Sequence, residues 1–119
     1  MIRVTVRRDP LGRIAAFEAR GHAAYDEEGF DIVCAAVSAL LQTALLGLER
    51  CALAAPTYQV ARGDLRCTLP PESREGDVGR LCAVLLDSML LGLREIQALH
   101  PGYVRIDEKR MRAKKGQTS

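Results

Sequence analysis

The stretch Ile2-Arg3-Val4-Thr5-Val6-Arg7, followed by the turn Asp9-Pro10-Leu11-Gly12 and by Arg13 to Arg20, decides the fold. Ile2, Val4 and Val6 alternate with polar neighbours, the period of a half-buried strand. Pro10 stands where a tight turn takes its second residue and Gly12 where it takes its last. Arg13 to Arg20 reads as a second strand with Phe17 and Ala19 on one face, so the first twenty residues predict a hairpin. Gly21 to Phe30 is a glycine-bounded loop carrying Asp26-Glu27-Glu28. From Asp31, a preferred N-cap residue, the chain turns rich in Ala and Leu up to Arg50, which predicts a helix. Its apolar positions, from Ile32 and Val33 through Leu40 and Leu41 to Leu48, run nearly all round, which predicts burial on more than one side.

The same order then recurs. Thr57 to Ala61 and Leu65 to Leu69 flank Arg62-Gly63-Asp64 as a second hairpin, and Pro70 to Gly76 is a polar loop. Asp77 is placed to cap a second helix from Val78 to Leu99. Its expected core stripe is Val78, Leu81, Leu85, Met89 and Ile96, with Arg80, Asp87 and Arg94 on the wet side. His100-Pro101-Gly102 stops that helix, and Tyr103 to Asp107 reads as a last strand. The order ββαββαβ predicts an α+β fold: a two-layer sandwich with a mostly antiparallel sheet and two helices on one face. Val84, Leu90 and Leu91 exceed what a chain this small can cover, which predicts a homodimer.

The 119 residues suit one domain, here residues 1–108, followed by a basic tail, 109–119, expected to be mobile. Few aromatics and no Trp argue against a base-stacking platform, and a net charge of +2 is too small to imply nucleic-acid binding. The N-terminus alternates instead of forming an apolar leader, and Gln42, Asp87 and Arg94 interrupt the long apolar runs. Neither a secretory signal nor a membrane span is expected, and the cytoplasm is the expected compartment. Cys34, Cys51, Cys67 and Cys82 have no short pair spacing, so no metal site, cofactor or disulfide framework is expected.

One cysteine has a position that changes its chemistry. With Asp31 as N-cap, Cys34 falls at the third helical residue, where unpaired N–H groups and the helix dipole favour a thiolate. Cys51 falls at a helix end, where the dipole has the opposite sign. His22 precedes Cys34 across the loop, and Gly21 allows a sharp bend that returns the chain. Cys with His is the usual arrangement of an activated thiol. From residue types alone two readings stay open: an activated pair, or a packed core cysteine and an inert loop histidine. His100, before Pro101 at a helix end, fits a structural role.

The segment Gly21-His22-Ala23 through Gly29, then Asp31-Ile32-Val33-Cys34-Ala35-Ala36-Val37-Ser38, closely resembles the signature of the Prp family of ribosomal-processing cysteine proteases. The resemblance covers roughly residues 1 to 107 and leaves the tail aside. It implies a small dimeric α/β fold with catalytic residues at His22 and Cys34 and a flexible loop between them. Asp31, Ser38, Gly21 and Gly29 are the supporting candidates. The implied substrate is the N-terminal extension of the large-subunit ribosomal protein numbered twenty-seven. The rival reading is a non-catalytic dimeric module that meets the ribosome or RNA through the basic tail and the arginines at 3, 7, 8 and 13. It predicts salt-dependent RNA binding that tolerates loss of Cys34.

Overall fold

A computed structural model describes residues 1–21 and 30–112. The elements are β1 (Ile2–Arg8), β2 (Ile14–Arg20), α1 (Phe30–Arg50), β3 (Thr57–Ala61), β4 (Asp64–Thr68), a 3-10 turn (Pro71–Arg74), α2 (Gly76–Leu99) and β5 (Val104–Arg110). The five strands form one sheet in the order β3-β4-β2-β1-β5. Every pair is antiparallel except β1 with β5, which α2 returns parallel to β1. The expected α+β sandwich is therefore the fold.

Alternation does the sorting. Ile2, Val4 and Val6 on β1, Phe17 and Ala19 on β2, Leu65 and Cys67 on β4, and Val104 and Ile106 on β5 are buried on one face. Both helices cover that face. α1 contributes Val33, Val37, Leu41, Leu45 and Leu48, and α2 contributes Cys82, Leu86, Met89, Leu90 and Leu93. A bulge at the β1–β2 register between Arg7 and Arg8 lets Ile14 and Ala15 both turn inward. By length and composition alone, Ile32–Arg50 could cross a membrane; here its buried face is a wall of the core.

Several expectations need correction. α1 begins at Phe30, so Asp31 lies inside the first turn and not before it, and Cys34 is the fifth helical residue. An acid is favourable at both places, so residue type alone does not separate them. α1 is buried on one side only: Ile32 is 74% exposed and Leu46 45%. α2 begins at Gly76 with Glu75 at its cap; Asp77 sits in the first turn, paired with Arg80. Its core stripe is broader than expected: Met89 is buried and Val78, Leu85 and Ile96 pack against the core as read, but Leu81 is exposed and Leu86, Leu90 and Leu93 are also buried. β5 runs on to Arg110, in register with Arg7 and Arg8 of β1, so the chain expected to be a tail at Lys109 is still sheet.

The β1–β2 turn, beside the start of α2, is fixed by Asp9, which is 2% exposed. Its carboxylate accepts N–H bonds from Leu11 and Arg13, both at 3.0 Å, and pairs with the guanidiniums of Arg13 at 2.9 Å and Arg74 at 3.0 Å. Arg74 ties in the 3-10 turn, and Arg13 reaches the Arg74 carbonyl. Burial alone would raise the Asp9 pKa; the Arg13 backbone and side-chain hydrogen bonds and charge overcome it and hold the carboxyl below its ordinary value.

Candidate active site

β2 ends at Gly21, whose φ of +82° belongs to the left-handed region. A Cβ there would lie 2.7 Å from the Met1 carbonyl oxygen, so only glycine lets β2 leave the sheet against the start of β1. The Gly21 N–H also reaches the Gly63 carbonyl at 3.4 Å, joining this exit to the β3–β4 hairpin. The bend expected at Gly21 is thus required by the packing.

Beside this exit the N-terminal half of α1 faces the β3–β4 hairpin across a cleft of about 60 Å³. Cys34, Ser38 and Gln42 line it from the helix, at successive four-residue steps on one face. Val60 and Asp64 line it from the hairpin and Arg20 from β2. Cys34 is half-buried and packs against the core while opening to this cleft. The structure therefore brings Cys34 and Ser38 together with Gly21 nearby. His22 and Gly29 lie outside the described residues, and of Asp31 only the helical backbone is described. No group of three metal-ligating side chains occurs among the described residues.

The helix start at Phe30 changes one expected element of the chemistry. In the i→i−4 pattern the Cys34 N–H pairs within the helix, so it is not an orphan donor. The unpaired N–H groups belong to the turn before it. A helical side chain leans back over that turn, so the thiol is carried toward the positive end of the dipole.

The other cysteines are set apart by burial and place. No disulfide joins them. Burial, with a smaller effect of Cys82, pushes the Cys67 thiol up to about 12, and burial also raises Cys82. Both stay protonated core hydrophobes near neutral pH. Cys51 is exposed just past the end of α1. His100 is remote from the cleft: it caps α2, its N–H bonding the Ile96 carbonyl, and its ring meets Tyr103 edge-on.

Sequence reading missed Gln42, Arg20 and Asp64 at the cleft. Gln42 had a signal, since Cys34, Ser38 and Gln42 are a polar stripe at helical spacing in an otherwise apolar run. Arg20 and Asp64 had none, because their meeting depends on the β2–β4 register.

Comparison with known proteins converges on one group. Residues 1–105 match the family described as cysteine protease Prp. The ribosomal processing cysteine protease Prp of Bacillus subtilis is 29% identical over 107 residues, covering 89% of this chain and 96% of that protein. A crystal structure of a Streptococcus mutans protein superimposes with a TM-score of 0.82 at 30% identity, covering 93% of this chain and 96% of the other. A Staphylococcus aureus structure, an essential ribosomal processing protease Prp in complex with a substrate peptide, has the same fold. Its TM-score is 0.76 at 24% identity, covering 92% of this chain and 100% of that one.

Proposed function

This chain belongs to the Prp family and is a cysteine protease, and from that premise we propose that Cys34 is its nucleophile, His22 its acid–base partner, and the N-terminal extension of large-subunit ribosomal protein twenty-seven its substrate. The observation that carries the reading is the placement of Cys34: among the four cysteines it alone lines the cleft, near the start of α1. The Cys34 thiolate attacks the scissile carbonyl and forms a tetrahedral adduct. The C–N bond breaks as His22, an imidazolium, protonates the leaving amine, and an acyl thioester remains on Cys34. His22, now neutral, takes a proton from water, which attacks the thioester and frees the acid and the thiolate. N–H groups of the helical turn before Cys34 stabilise the oxyanion.

The substrate lies extended along the cleft beside β3, an edge strand whose five residues are all exposed. Ser38 and Gln42 offer polar contacts to its backbone. Gly21 supplies the bend at which β2 ends, and Asp31, an acid in the first turn of α1, favours the helix start by its charge. The enzyme acts in the cytoplasm as a homodimer. The dimer rests on Leu81, Val84 and Leu91, exposed 52%, 66% and 68% on one face of α2.

The test incubates the purified protein with the extended ribosomal protein and follows its mass. Removal of the extension by wild type, lost in Cys34→Ala and in His22→Ala, is the expected result. Cleavage that survives Cys34→Ala, or no cleavage by wild type, overturns the reading.

A further inference from the structure

The sheet face turned away from the helices carries the side chains of opposite parity to the core. The register sets Arg20, Arg3 and Arg105 side by side on β2, β1 and β5. Like charges directly opposite each other repel across a sheet; in this row Asp107 relieves Arg105, and Arg20 has Asp64 of β4 opposite it on its other side, though that carboxylate pairs with Arg66. Glu18 is matched by Arg7 at 3.1 Å, Asp64 by Arg66 at 3.3 Å and Asp107 by Arg105 at 3.5 Å. Arg3 and Arg20 make no hydrogen bond or ion pair among the described residues. Both are exposed, and both line a shallow depression of about 510 Å³ on this face.

The composition of the face says what kind of partner fits it. Over β1, β2 and β4 the outward positions hold Arg, Thr, Glu, Asp and one Ala, with no aromatic or large aliphatic side chain. Protein interfaces centre on aromatic and apolar anchors. Nucleic-acid interfaces are more polar and more positive, and adjacent guanidiniums grip phosphate in a bidentate way.

We infer that the open sheet face binds the phosphate backbone of RNA, with Arg3 and Arg20 as its centre and Lys109 as its extension. In naming RNA it rests on the ribosomal processing proposed above, but its geometry does not depend on Cys34. Without rings to stack bases, recognition is of the backbone and independent of sequence. Arg8 and Arg13 are not part of it: Arg8 is bound to Glu108 and the Gly12 carbonyl, and Arg13 to Asp9. Arg20 also lines the cleft, so bound RNA passes beside its mouth.

The test is fluorescence anisotropy with a labelled RNA hairpin, titrated between about 50 and 200 mM salt. Expected is a salt-dependent affinity that Arg3→Gln with Arg20→Gln weakens by about tenfold or more, with the log–log salt slope reduced by about 2. Cleavage is not measured, so failure here is separate from failure of the protease reading. Equal affinity for a poly-glutamate peptide overturns the inference. So does loss of binding on Lys114→Gln with Lys115→Gln while the Arg3 and Arg20 variant binds as wild type. A second readout is thermal: in RNA-free protein Arg3→Thr raises the Tm by about 1–5 °C as the repulsion is relieved. A lowered Tm contradicts repulsion between Arg3 and its neighbours across the sheet.

Discussion

At one end of the β1–β2 hairpin, Asp9 sits 2% exposed with two guanidiniums and two backbone N–H groups on its carboxylate. At the other end, Cys34, Ser38, Gln42 and Arg20 line an open cleft. The same two strands support both ends. The difference teaches where polarity holds the fold together and where it is kept for a ligand. The Asp9 end is a network in which removing one partner strands the others. At the cleft end, polar groups are presented to a space that a peptide can enter.

The contrast breaks most sharply under Cys34→Ala. Cleavage should fall by at least about 10³-fold, while the melting temperature stays close to wild type, measured by peptide turnover and calorimetry. Asp9→Asn should do the reverse. Stability should drop by about 3–5 kcal/mol in denaturant unfolding, with turnover per folded molecule retained. The same residue sets an acid limit. Its folded pKa is held below the ordinary 3.8, so its contribution is fully present well above that value and is lost as pH falls through the folded one. Wild type should lose stability below about pH 4 more steeply than Asp9→Asn. Gly21→Ala should sit between the two classes. The positive φ and the 2.7 Å approach to Met1 oxygen should cost about 1–3 kcal/mol of stability and slow cleavage as well, since this bend sets the path from β2 toward α1. The smallest effects belong to Ser38→Ala and Gln42→Ala, each lowering kcat/KM by about tenfold or less at unchanged Tm.

The strands were legible because alternation is a two-residue signal: Ile2, Val4, Val6, Phe17 and Ala19 are all buried as read. The faces of the helices were less so. α2 is leucine-rich on two sides, and nothing local says whether Leu81 and Leu85 or Leu86 and Leu90 meet the sheet; packing against α1 and β5 decides it. The end of β5 was hidden in a basic run that reads as a tail, because its partner residues, Arg7 and Arg8, lie about a hundred positions earlier. At the candidate site, Cys34 and Ser38 were readable from helical spacing. Arg20 and Asp64 were not, since the β2–β4 register is long-range. His22 was a candidate from its place across the loop, its catalytic role followed from a resemblance, and it lies outside the described residues.

The central claim, that Cys34 and no other cysteine is activated, carries its own internal control. Cys51 is the more exposed thiol, and Cys67 and Cys82 are buried with raised pKa values. Iodoacetamide alkylation at about pH 6, where an ordinary thiol is almost wholly protonated, mapped residue by residue by mass spectrometry, ranks them directly. The account predicts that Cys34 is modified ahead of Cys51, that Cys67 and Cys82 stay unmodified, and that His22→Ala brings Cys34 down to the rate of Cys51 or below it. Faster modification of Cys51, with a Cys34 rate indifferent to His22→Ala, would contradict it.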